Sequence, residues 1–358
     1  MDPITQQAVL ATAGAAGGDK VYVDDVFSTF LVDGAGGQTI TTGIDLATEG
    51  GMVWSRVRSA QINHAVHDTE RGTNKFLSTN SNGAQIDVSG NTAHHSITSF
   101  NNDGFTTGAD GGYGYTDLNG YTDYVHWTFR KAPGFFDVVT YTGNGTNQTI
   151  PHNLESVPGF IVVKAISGAS AGSYMWTVYH RGLSSPETSY SYLNATTMFY
   201  SNYNGYWNGT APTSTHFSVG NDTYVNRAGY NYVAYVFAHD EPVFGTNEDE
   251  SIIKCGSYTG NGSATGPVIN LGFEPQWLMI RRTDVGDAWQ IYDSMRGQQD
   301  VLRADSSNTE VSSLNYKINL LANGFQPASN DNGHNASGGN YIYMAIRRPH
   351  KPPEVGTD

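Results

Sequence analysis

The chain has 358 residues, of which 15% are charged and 12% aromatic, with 42 glycines and a formal net charge of −14. That length supports two or three domains with real cores, and the aromatic content excludes intrinsic disorder. The acidic balance disfavours nucleic acid as a partner, and a single cysteine, Cys255, excludes an intrachain disulfide and a cysteine metal site.

Asp2-Pro3 puts an N-cap residue before a proline suited to the first helical turn. Ile4, Ala8 and Ala11 share one face, and Val9 and Leu10 widen it. A short helix is therefore predicted over residues 2–13, with a Gly14-Ala15-Ala16-Gly17-Gly18 linker after it. So short a helix is marginal alone and is expected to dock elsewhere. Pro3, Ile4, Val9 and Leu10 are its candidate docking residues. Residues 1–20 have no basic region of the kind that opens a signal peptide, and no apolar run long enough to span a membrane occurs in the chain.

A pattern of roughly 110 residues then recurs three times. Its closing strand reads Tyr124-Val125-His126-Trp127-Thr128-Phe129, Tyr232-Val233-Ala234-Tyr235-Val236-Phe237 and Tyr341-Ile342-Tyr343-Met344-Ala345-Ile346. The pairs Arg71-Gly72, Arg181-Gly182 and Arg296-Gly297 recur upstream. Module 1 is assigned residues 21–136, module 2 residues 137–246 and module 3 residues 247–358. Strands are predicted in module 1 at Val26–Val32, Met52–Val57, Ala65–Asp68, Ile97–Phe100 and Tyr124–Arg130. Each module has an apolar run ending in a cation, at Arg56, Lys164 and Arg281. Asp103-Gly104-Phe105 and Asn323-Gly324-Phe325 read as hairpin turns, and Ser218-Val219-Gly220 departs from them. The motif Tyr141-Thr142-Gly143-Asn144-Gly145 returns as Tyr258-Thr259-Gly260-Asn261-Gly262.

Short strands at regular spacing, with turn residues between them, predict an all-β fold: three tandem antiparallel β-sandwich or jelly-roll modules. A three-bladed propeller is the topological alternative, although the modules are long for single blades.

The loop from Phe199 to Asn208 is the candidate ligand surface, through Tyr200, Tyr203, Asn204, Tyr206 and Trp207. Aromatic faces stack on sugar rings, and amides bond their hydroxyls. The competing reading is an edge hairpin packed on a neighbouring subunit. The Arg-Gly pair recurs, which points to the fold. Glu248-Asp249-Glu250 reads as a solvated hinge between modules 2 and 3, and Asn330-Asp331-Asn332-Gly333 as a turn. His94-His95 reads as a loop pair, and Cys255 as a small residue packed at a module boundary. The sequons at Asn144, Asn194 and Asn261 read as turn chemistry. No catalytic residues, metal ligands or cofactors are expected.

The segments Met1-Asp2-Pro3-Ile4-Thr5-Gln6-Gln7, Tyr22-Val23-Asp24-Asp25-Val26-Phe27-Ser28-Thr29, Asp68-Thr69-Glu70-Arg71-Gly72 and Phe100-Asn101-Asn102-Asp103-Gly104-Phe105 resemble structural proteins of marine tailed bacteriophages. Those proteins are tail-fibre-like and carry concanavalin A-like lectin modules. The resemblance implies a non-enzymatic virion protein, assembled in the host cytoplasm and placed in the phage tail. It implies attachment to other tail proteins through the N-terminus, contact with host-surface glycan and a homotrimer. A purely structural role, as tail adaptor, fibre shaft or capsid decoration, is the alternative.

Overall fold

The computed structural model describes residues 20–352, apart from 33–36, 91–95, 109–120, 122 and 169. The expected N-terminal helix with Pro3, Ile4, Val9 and Leu10 lies outside the described residues, as do His94 and His95.

The chain is all-β, with antiparallel pairing throughout its described sheets. Each module contributes one main sheet. In module 1 its order is Phe27–Val32, Tyr124–Arg130, Gly51–Val57, Ala65–Asp68. The same order returns in module 2 as Phe136–Thr142, Asn231–Phe237, Phe160–Ser167, Thr177–His180, with Ser191–Tyr192 added at the edge. Module 3 repeats it as Ile253–Thr259, Asn340–Arg347, Pro275–Arg282, Gln290–Asp293, then extends through Gly297–Arg303 and Val311–Ser312. A small second sheet belongs to each module. It has three strands in module 1 (Thr39–Thr41, Gly104–Thr107, Ile97–Asn101) and in module 3 (Ile269–Asn270, Gly324–Pro327, Ile318–Leu321). Module 2 keeps only Gln148–Pro151 and His216–Val219, and its aromatic loop replaces the hairpin.

Two details differ from the sequence reading. Val26 closes a one-turn helix, Val23–Val26, because Asp25 accepts from the Tyr22 amide at 2.9 Å and holds the chain in a turn. The first strand starts at Phe27. Phe136 opens the sheet of module 2, paired opposite Phe237, and does not close module 1.

The main sheets are buried on both faces. The strand Gly51–Val57 has every residue buried. Alternation explains how. Val53 and Val57 pack under the small sheet of module 1 with Ile40, Leu46 and Phe105. Met52 and Trp54 point the other way, into a core that all three modules share. Phe129 of module 1 meets Phe237 of module 2 at 5.7 Å and Trp277 of module 3 at 6.1 Å between ring centroids. Met52, Phe237, Met279 and Met344 surround a void of only about 20 Å³ at this junction, where flexible methionines fill irregular space. The modules are thus sandwiches whose main sheets face one another.

The seams close in a ring. Asp68 of module 1 accepts from the Tyr235 hydroxyl of module 2 at 2.7 Å. His180 of module 2 donates from Nε2 to the Tyr343 carbonyl of module 3 at 3.0 Å. Asp293 of module 3 accepts from Trp127 Nε1 of module 1 at 3.0 Å. Sheet register makes Asp68, His180 and Asp293 equivalent, opposite Met52, Phe160 and Trp277. Module 3 therefore grips module 1 as module 1 grips module 2.

The strand-end cations follow the same cycle. All three are buried and reach a backbone carbonyl of the preceding module. Lys164 donates to the Asn82 carbonyl at 3.2 Å, Arg281 to that of Thr197, and Arg56 to that of Ser307 at 2.6 Å. Beside them, Trp176 donates to the Ser78 and Ser81 carbonyls, Trp289 to that of Tyr192, and His64 to those of Arg303 and Ser306. The accepting loops are shaped alike. Asn80, Asn194 and Asp305 each accept the backbone N–H of residue 64, 176 or 289 in their own module.

The repeated Tyr-Thr-Gly-Asn-Gly motif is structural. A Cβ at Gly143 would lie 2.3 Å from the Arg227 carbonyl oxygen, and one at Gly260 would lie 2.4 Å from that of Ala336. Only glycine allows this approach. The buried Asn226 accepts from the Asn144 amide, and Asn335 from that of Asn261, each at 2.9 Å. Asp331 caps the helical turn Asn332–Asn335, so the Asn330–Gly333 stretch is a turn.

Glu248 and Asp249 are solvent-exposed, as the solvated reading expects, but the acidic stretch is tied down by ion pairs. Glu250 pairs with Arg347 at 2.6 Å and bridges back to Phe244, and Glu248 pairs with Lys20 at 2.9 Å. Opposite charges from both ends of the described chain hold it in place. Asp24 nearby accepts from the His350 and Lys351 amides.

Candidate ligand cleft

The Arg-Gly recurrence divides in two. Arg71 and Arg296 are buried and donate from Nε to Asp68 and Asp293, each at 2.6 Å. Module 2 has His180 at the aspartate position, and Arg181 is exposed. The chemistry across the seam accounts for the change. Tyr235 and Trp127 offer a proton to the carboxylates, whereas the equivalent Met344 offers none. A buried carboxylate there would lack a donor across the seam. The neutral imidazole of His180 uses the main-chain carbonyl instead. Cys255 packs between modules 2 and 3, against Gly159 and the Ala238 carbonyl, and burial pushes its thiol pKa up.

The seams leave clefts of unlike character. Between modules 2 and 3 lies a cleft of about 600 Å³. Module 2 lines it with Ser184, Ser201 and Tyr200, and module 3 with Ser257, Thr259 and Asn340. None of its described lining residues carries a formal charge. Tyr200 stacks one way on Tyr190, at 5.4 Å between centroids, and keeps 41% of its surface exposed. At the seam of modules 3 and 1, Glu310 binds Arg58 at 2.7 Å and Arg296 at 2.9 Å, so an ion-pair bridge crosses the equivalent place.

The five ligand candidates separate accordingly. Tyr200 lines the cleft. Tyr203 and Asn204 are exposed but do not line it, and Tyr203 donates to Asp222 at 2.8 Å, which pushes its pKa up to about 12. Tyr206 and Trp207 are buried, at 4% and 1% exposure, and cannot present a face to a ligand. Trp207 donates to the Ser189 carbonyl and packs edge-on to Tyr179, so it is core. Tyr206 shares a hydrogen bond with Tyr192, and burial raises its pKa. The loop folds inward because module 2 lacks a third strand in its small sheet, and Tyr206 and Trp207 fill the space. Ser257, Thr259 and Asn340 were not anticipated as site residues. Their signal was the repeat itself, since Thr140, Thr142 and Asn231 hold the equivalent positions at the seam of modules 1 and 2.

Fold and cleft together define an all-β protein built from three modules closed around one core, with ligand-sized clefts at its seams; among the described residues no helix is long and apolar enough to cross a membrane. The chain belongs to the family described as a domain of unknown function, DUF7483, whose model matches residues 23–349 and so takes in all three modules. No curated protein matches the sequence.

Proposed function

We propose that the protein is a non-enzymatic structural component of a tailed-phage virion, most simply of the tail fibre, which touches neutral host-surface glycan through the seam of modules 2 and 3. The observation that carries the glycan reading is that cleft, with an exposed tyrosine face among serine, threonine and asparagine groups and no formal charge. Such a lining suits uncharged polyols, which stack on aromatic faces and exchange hydrogen bonds with hydroxyls and amides. The virion assignment rests on the resemblance of the N-terminal and Asp68–Gly72 segments, with docking through residues 1–20. A homotrimer belongs to the same proposal. One chain already closes a threefold arrangement, so trimerisation would add a second level of symmetry.

The purely structural role is favoured by one observation, the burial of Tyr206 and Trp207, which reduces the aromatic surface on offer. A glycan array decides between them. The intact protein is expected to bind neutral glycans. Tyr200→Ala is expected to weaken binding at least tenfold, with unfolding changed by no more than about 0.5 kcal/mol, as for other exposed positions. Absence of binding by the intact protein would leave the structural role.

A further inference from the structure

We propose that the seam of modules 1 and 2 is a second, acid-selective site, which takes the carboxylate of a ligand such as a uronic acid. It stands independently of the glycan reading above. The site is a cleft of about 320 Å³ lined by Arg71, Lys75 and Gln85 of module 1 and by Thr140, Thr142 and Asn231 of module 2. Its charges set it apart from the neutral cleft one seam away.

The internal repeat supplies the template for what it binds. In module 3, Arg296 spends Nε on Asp293, Nη2 on the Ile291 carbonyl and Nη1 on the carboxylate of Glu310. In module 1, Arg71 makes the first two kinds of bond, to Asp68 and to the Val66 carbonyl. Its Nη1 is buried and has no hydrogen-bond partner among the described residues. Gln85 stands where Glu310 stands. Each lies five residues after the loop's Asn80 or Asp305, and its amide donates to the neighbouring module, to Ile166 or Arg58. The half-buried Gln85 side chain leaves its own Oε1 unpartnered as well. A neutral amide thus sits at a position built to receive a carboxylate, beside a guanidinium with one donor unused. A ligand carboxylate that displaces the Gln85 amide completes the Arg71 fork as Glu310 completes that of Arg296.

The other charges at the cleft are accounted for. Glu70 also lines the cleft, and its carboxylate is already paired with Lys131 at 2.7 Å. Lys75 lies opposite Asp87 in the strand pair and lines the cleft, where its ammonium draws an anion toward Arg71. Ile166 replaces Arg58 at this seam, so no second arginine competes for the anion.

Calorimetric titration of the full chain with sodium glucuronate, and with glucose as the uncharged control, tests this. Saturable glucuronate binding is expected, and saturating glucose is not expected to compete with it. Gln85→Glu supplies the missing carboxylate from within and is expected to weaken glucuronate at least tenfold while raising the melting temperature. Lys75→Gln is expected to weaken it several-fold, and Tyr200→Ala to leave it unchanged. No saturable glucuronate binding, or wild-type affinity in folded Gln85→Glu, would overturn the proposal. If Gln85→Glu does not fold, wild-type affinity in Lys75→Gln overturns it. Glucuronate binding lost in Tyr200→Ala and kept in Gln85→Glu would also overturn it, while leaving the neutral cleft as the glycan site.

Discussion

Replacing Asp293 with alanine is expected to destabilise the whole chain by about 3–5 kcal/mol, because it strips a buried guanidinium of its counter-ion. Arg296 would retain Glu310 but lose the 2.6 Å contact, and Trp127, a module away, would lose the acceptor of its indole N–H. The loss therefore falls on the ring closure of modules 3 and 1 and not on module 3 alone. Urea unfolding followed by tryptophan fluorescence and by far-ultraviolet circular dichroism should shift to lower denaturant together. Asp68→Ala, which frees Arg71 and Tyr235 in the same way, should behave alike. Arg181→Ala provides the contrast. Its arginine is exposed, and the change should stay within about 0.5 kcal/mol. Equal effects of Arg181→Ala and Asp293→Ala would show that the Arg-Gly pairs share one role after all.

Acid should weaken the fold well above the pH at which surface carboxylates protonate. His180 accepts the Gly182 amide at Nδ1 and donates from Nε2 to Tyr343, so its hydrogen bonds are satisfied only by the neutral ring. His126 is sealed beside Ser55, with Nε2 buried and unpartnered among the described residues. Burial lowers both pKa values to about 3. In the unfolded chain each titrates near 6.5. Between these values the unfolded state binds more protons than the native state. Stability is therefore complete above the unfolded value and is lost as pH falls toward the folded one. Each histidine contributes a slope of about 1.4 kcal/mol per pH unit in that window. His64 and His67, also lowered by burial, act in the same direction. Urea unfolding at a series of pH values from 7.5 to about 4.5 should show stability falling by about 3 kcal/mol per unit from the first two alone once pH is below about 6. The His126→Gln/His180→Gln double variant should flatten the profile. A flat profile in the wild type would contradict the neutral, buried assignment.

Much of the architecture was legible because β-modules repeat their hydrophobic alternation along with their turns. The closing strand at Tyr124–Arg130 and the strands at Ala65–Asp68 and Gly51–Val57 fall almost where the residues place them. What local pattern could not express was which face of each sheet meets another module. Met52 and Val53 are both apolar, yet one enters the shared core and the other a private one. The strand-end cations carried the signal for the seams. A buried Lys164 or Arg281 needs acceptors, and each finds one in the adjacent module, where no local pattern could place it. Trp207 shows the opposite failure. An aromatic in a loop has the same letter whether it stacks on a sugar or fills the gap left by a missing strand. Tyr200 alone of the five candidate residues lines the cleft, and Ser257, Thr259 and Asn340 across it come from the next module.

The three repeats form one cooperative body and not three domains on a string. Differential scanning calorimetry of the full chain decides between the two. A shared core predicts a single transition, with the calorimetric enthalpy equal to the van't Hoff enthalpy. Three separable transitions, or a calorimetric enthalpy about three times the van't Hoff value, would contradict it.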